Sequence, residues 1–207
     1  MFSDQDLAVM DSIIKRYPRS RSAIMPLLHY AQSKAGYVTN EGIELIAKLL
    51  TIETAEVSAV ATFYTQYKRK PVGEYHVGVC TNTLCAVMGG DAIFAGLKEH
   101  LGIENDGVTA DGKVSLEHIE CNAACDYAPV VMANWEFYDN QTVQSSKDLV
   151  DSMRQGNPTP PTRGPKSLPT WKENSAVLAG INDGRANEGV QAGEPTLLGL
   201  KLAKEGK

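Results

Sequence analysis

The stretch EYHVGVCTNTLCAVMGGDAIFAGLKEHL, residues 74–101, decides the fold of this chain. Its first part alternates Tyr75, Val77 and Val79 against His76 and Gly78, the period of a strand, and runs straight into Cys80. From Asp91 to Leu101 the period lengthens, with Ile93, Leu97 and Leu101 on one helical face. The same design returns downstream in VSLEHIEC, 114–121, a second alternating strand that again delivers a cysteine at its end. VVMANWEFY, 130–138, reads as a hairpin turning near Ala133 and Asn134, and a helix from Ser146 to Gln155 closes the series.

The order β-α-β-β-α is that of a small thioredoxin-like α/β domain. Sheets of this kind place their sites in loops at strand C-termini, where both cysteine pairs fall. All four cysteines lie in two pairs, Cys80 and Cys85 in CTNTLC and Cys121 and Cys125 in CNAAC. Zinc, two disulfides or an iron–sulfur cluster could each use such a set. Structural zinc sites usually take both half-site ligands from a tight knuckle of about two to four intervening residues. Neither pair here has the two-residue knuckle. Disulfides need an oxidising compartment, and the start MFSDQDLAVMD lacks the basic and apolar run of a signal peptide. A [2Fe–2S] cluster spreads four thiolates over two irons, so wider gaps suit it best. His76 and His118 do not form paired Cys/His half-sites, and His29 and His100 sit in helical patterns; each is read as structural.

Around the cysteines, Gly89-Gly90 either lets backbone approach bridging sulfides or makes a turn before the helix, and both readings stand. Ala123 and Ala124 keep the second loop thin, and Pro129 is expected to open the next strand rather than to sit in a cis turn.

Upstream, residues 1–70 read as a helical bundle. Leu7, Met10, Ile13, Ile14 and Tyr17 share one face of a helix over 4–17, ended by Pro18. A second helix is expected at 22–35, with Pro26 in its first turn and Gly36 as its cap. A third starts near Thr39, and a fourth spans 53–63 with Val57, Val60 and Ala61 inward. Residues 71–155 form the α/β domain. Residues 156–207 read as an extended tail: NPTPPTRGPKSLP, 157–169, holds five of the ten prolines, and the rest is rich in glycine. As a flexible coil it would span roughly 40 Å. Trp171, Val177, Leu178, Leu197, Leu198 and Leu200 are its candidates for docking on a larger partner.

The chain carries a formal charge of −5, and residues 1–155 hold 20 Asp and Glu against 13 Lys and Arg. An acidic body argues against nucleic acid as a partner. No stretch approaches the roughly eighteen apolar residues of a membrane span, so a membrane link would come only through a complex. No glycine-rich dinucleotide fingerprint follows a strand, which argues against NADH or FMN binding by the chain itself.

With GYVT at 36–39, ATFYTQY at 61–67, VCTNTLCAVMGG at 79–90 and IECNAACDYAPVV at 119–131, residues 5–155 resemble the small iron–sulfur subunit of NADH-quinone oxidoreductase, respiratory complex I. The resemblance implies a thioredoxin-like [2Fe–2S] ferredoxin domain, with Cys80, Cys85, Cys121 and Cys125 as cluster ligands and no catalytic residue of its own. It implies as partners the larger protein that carries FMN and the NADH site and the large iron–sulfur subunit, in a peripheral arm on the cytoplasmic face of the membrane. One departure is visible: members often have Leu-Gly where this chain has Asn122-Ala123, so hydrogen bonding to the cluster should differ. Single-electron exchange with the flavin is the expected function, with Glu120 and Asp126 disfavouring reduction and backbone N–H groups favouring it. Related subunits of NAD-linked hydrogenases and formate dehydrogenases share these motifs. A free-standing ferredoxin or a zinc-bound interaction module is the alternative from another class.

Overall fold

The computed structural model describes residues 2–206. They divide into two compact units, one running to Val72 and including Pro169–Asp183, the other comprising Gly73–Leu168 and the chain from Gly184 onward.

The first unit is helical. Helix α1 (Asp4–Ile14) opens on a capping box between Ser3 and Asp6, which satisfies two otherwise orphaned N–H groups. It stops short of Tyr17, which is exposed, because proline disfavours helical geometry in the residue before it. A 3-10 turn, Ser20–Ala23, leads into α2 (Ile24–Ala35), which Gly36 terminates in the left-handed region at φ +86°. Helix α3 (Asn40–Leu50) is N-capped by Thr39, and α4 (Thr54–Phe63) completes the series. Met10, Ile13, Leu27, Leu28, Ile46 and Val57 lock these helices around one core.

That core continues into the tail. Helix α8 (Trp171–Leu178), capped by Thr170, packs on α2. The Trp171 ring is buried, and its Nε1–H donates to the Gly36 carbonyl at 2.7 Å, one of the acceptors a helix end leaves without an internal partner. The tail is therefore not extended throughout, and the Trp171 side chain is buried against its own chain.

The second unit is built on a five-stranded sheet in the order β2-β3-β1-β4-β5. Strand β1 (Tyr75–Cys80) pairs in parallel with β3 (Val114–Ile119), so that Tyr75 faces Val114 and Cys80 faces Ile119. The other pairings, of β2 (Gly107–Val108), β4 (Val131–Ala133) and β5 (Glu136–Tyr138), are antiparallel. Helices α6 (Gly90–Leu101) and α7 (Val143–Arg154) contribute Ile93, Leu97, Leu149, Val150 and Met153 to a core shared with Val77, Val79, Leu116 and Val131.

Every residue of β1 is buried, including those on the side expected to be polar. His76 there lies 3.0 Å from the Ser115 hydroxyl and 2.8 Å from the Glu117 carboxylate, so neighbours replace its water. Gly78 is required by Ile119, whose side chain would lie 2.7 Å from an added Cβ. The β4–β5 hairpin turns on Asn134 and Trp135, both at positive φ, one residue later than expected. Asn134 is buried, and its Oδ1 accepts from the His76 amide at 2.7 Å.

Two further expectations are corrected. Ala128-Pro129 is a cis bond, and β4 begins only at Val131. The proline-rich stretch is no free coil: Thr162 N donates to the Phe137 carbonyl at 2.9 Å, and Arg163 pairs with Asp139 at 3.0 Å while stacking over Phe137. It thus covers the open edge of β5, which would otherwise present unpaired backbone groups. Beyond it, α9 (Glu194–Lys204) forms with Leu197, Leu198 and Leu200 exposed.

Candidate metal centre

Strands β1 and β3 lie side by side and parallel, so both deliver their cysteine loops to the same end of the sheet. Cys80 is the last residue of β1 and is buried; its N–H donates to the Val130 carbonyl at 3.1 Å. Five residues on, Cys85 is buried in the short helix α5 (Thr83–Val87). Cys121 follows β3 by two residues and Cys125 opens a 3-10 turn, and both are exposed, with their Sγ atoms 4.0 Å apart. The Asn82 amide joins the two arms by donating to the Ile119 carbonyl at 3.4 Å.

Electrostatics ties the pairs together. Burial pushes the Cys85 thiol up to about 11; the Val130 N–H opposes this, while the Cys80 and Cys125 sulfurs add to it. The Cys125 thiol is raised chiefly by its hydrogen-bonded neighbour Cys121 and next by that residue's charge, with a lesser push from Cys80. The thiols of Cys85 and Cys125 thus resist becoming thiolates, and a cationic metal would offset that cost. Among the described residues no three His, Cys, Asp or Glu side chains converge on one point as ligands of a single ion would. The thiols stand instead as an inner and an outer pair, the division that a two-iron cluster uses.

The backbone around the cysteines is also closely packed. Gly89 caps α6 at φ +114°, which serves the turn reading. At Gly90 a Cβ would lie 2.4 Å from the Cys80 carbonyl and 2.9 Å from that of Cys85, so the close approach is to the backbones of the two cysteines. The Ala123 N–H donates to Cys121 Sγ at 3.4 Å, with Ala123 in the left-handed region at φ +53°. Donors of this kind stabilise negative charge on sulfur. The donor set and these backbone approaches fit a [2Fe–2S] cluster.

The histidines are engaged elsewhere: His118 against Phe94, His100 with Asp151 at 2.8 Å, and His29 against Tyr67. Glu120 is exposed, whereas Asp126 accepts from the Thr196 hydroxyl of α9 at 2.5 Å. That link between tail and cysteine loop had no sequence signal. Asn122, which the sequence marked as a departure, has its Nδ2 buried without a hydrogen-bond partner among the described residues, and that burial had no sequence signal. Leu84, Val87 and Met88 are exposed around Cys85 and give the site an apolar rim.

The family model described as thioredoxin-like [2Fe–2S] ferredoxin matches residues 10–154. An NADH-quinone oxidoreductase subunit from Mycobacterium tuberculosis is 59% identical over 194 residues, covering 93% of this chain and 77% of the relative. The protein of the same name from Rickettsia bellii is 42% identical over 156 residues, covering 74% of this chain and 93% of the relative. The mycobacterial match is long enough to reach into the tail. The solved NAD+-reducing [NiFe]-hydrogenase in its H2-reduced state contains a chain similar in fold, with TM-score 0.58 and 18% identity over 66% of this chain. This chain spans 23% of the hydrogenase chain's length.

Proposed function

The chain belongs to the thioredoxin-like [2Fe–2S] ferredoxin family, and from that premise we propose that it is the small iron–sulfur subunit of an NADH-quinone oxidoreductase, holding one [2Fe–2S] cluster on Cys80, Cys85, Cys121 and Cys125. The observation that carries this reading is the delivery of two cysteine pairs to one end of the sheet by adjacent parallel strands. A bound cluster supplies one-electron transfer.

The chain's own residues hold and tune the site. Cys80 and Cys85 anchor the inner side on β1 and α5, and Gly90 lets α6 close over their backbones. Cys121 and Cys125 form the outer side, where the Ala123 N–H offsets part of the sulfur charge and Asp126, held by Thr196, opposes reduction. The exposed rim of Leu84, Val87 and Met88 suits a partner that excludes water from the outer pair. We assign that partner as the protein carrying FMN and NADH, with the large iron–sulfur subunit beyond it. Leu197, Leu198 and Leu200 of α9 remain as the tail's docking candidates. No helix among the described residues is long and apolar enough to cross a membrane, and the assignment to a peripheral arm on the cytoplasmic face follows from the complex.

The division of the chain into 1–70, 71–155 and 156–207 belongs to the same proposal, with residues 169–183 of the tail lent to the helical unit. Iron and acid-labile sulfide analysis tests the cluster: two of each per chain are expected, and Cys→Ser at any of the four positions should lower both. Colourless protein with one zinc and no sulfide would sink it. Co-purification from native membranes separates a quinone reductase from a hydrogenase or a formate dehydrogenase.

A further inference from the structure

Asn122 stands directly after the ligand Cys121 and directly before Ala123, whose N–H already donates to Cys121 Sγ. Its Nδ2 is sealed from solvent and meets no acceptor among the described residues. A buried N–H left without a partner carries the full cost of losing its water, and an acceptor outside the polypeptide removes that cost. The loop that carries Asn122 is shaped around sulfur: two thiols 4.0 Å apart and a backbone amide turned toward one of them. Cys121 and Cys125 are exposed, whereas the Asn122 amide nitrogen between them is not.

We propose that the Asn122 side-chain amide is a hydrogen-bond donor to the sulfur of the [2Fe–2S] cluster and sets its reduction potential. This rests on the four-cysteine cluster assigned above. Reduction adds one electron to a centre that is already negative, and a donor on its sulfur stabilises the reduced form more than the oxidised form. No bond is made or broken and no proton leaves the amide. Where a leucine occupies this place the donor is missing, so chains that differ here should differ in potential with the same four ligands.

The test uses the full chain carrying its cluster. Asn122→Leu keeps nearly the same shape without the donor, and Asn122→Gln keeps a donor on a longer arm. Iron and sulfide content is measured first, so that a lost cluster, which would speak against the site itself, is separated from a loaded but retuned one. In the loaded N122L protein the EPR-monitored reduction equilibrium should move toward the oxidised form by about tenfold, which is about 59 mV for one electron. The exchangeable-deuteron coupling to the reduced cluster in pulsed EPR should weaken, and N122Q should recover part of both effects. Should N122L load poorly, N122A gives the same two readings. A midpoint and a deuteron coupling equal to wild type in a loaded donor-free variant overturn the proposal.

Discussion

At Ala123 an L side chain sits at φ +53°, where glycine is at ease and other residues are strained by about 1 kcal/mol. The loop needs that geometry because it turns the Ala123 N–H toward Cys121 Sγ. Ala123→Gly should therefore stabilise the native loop, by about 0.5 kcal/mol once glycine's greater freedom in the unfolded chain is counted. Urea unfolding checks this, and a destabilised variant would contradict it. The pairing of the cysteines was legible at this scale, because each pair follows a strand whose alternation shows in the sequence, and β1 and β3 bring both pairs to one end of the sheet. For Asn122 and Asp126 the sequence marked the positions but not their surroundings. Their roles depend on which atoms the fold seals off and on a tail residue, Thr196, that lies 70 positions away in sequence.

Elements long enough to show a period were readable. Helices α1 to α4 and α6, and strands β1 and β3, lie within a few residues of where their apolar spacing put them. What was missed is short or lies in the tail: α5 has five residues, β2 has two, the eight of α8 follow a proline-rich run that suggested an extended tail, and α9, with eleven, follows a glycine-rich one. Helix α8 exists because Trp171 finds a pocket on α2 and an acceptor in Gly36. Trp171→Ala should cost the helical unit about 3–5 kcal/mol, read as a lowered denaturant midpoint. Were Trp171 only a partner anchor, the isolated chain would not notice the change. Arg163 makes a similar point at the β5 edge. Its removal leaves the nearly buried Asp139 without its cation, and Arg163→Ala should destabilise the sheet unit by about 3 kcal/mol. Proteolysis within 157–169 should quicken with it.

Unfolding of the whole chain should depend on pH through His29. Burial pushes this imidazole down to about 4 from 6.5, with the Gln66 side chain opposing. Between those values the unfolded chain binds a proton that the folded chain refuses, so stability rises with pH. The contribution is complete above about pH 6.5 and is lost as pH falls toward 4, in all about 3 kcal/mol. Urea midpoints at pH 7 and pH 5 measure it, and His29→Phe should flatten the difference; an unchanged slope would show that other groups carry it. The acidic balance of the body was plain from composition, but the buried histidine was not, since a helical pattern alone does not say which side chains lose their water.

The inner and outer cysteine pairs have a consequence for how the centre is built and lost. In metal-free protein, alkylating reagents should label Cys121 and Cys125 well before the buried Cys80 and Cys85, an order that mass spectrometry of timed quenches would record. Oxidants approach from the same direction, so damage begins at the outer sulfurs while the inner pair is still shielded. If the four cysteines hold a cluster as proposed, a site damaged in this way would still keep Cys80 on β1 and Cys85 on α5 in their buried places.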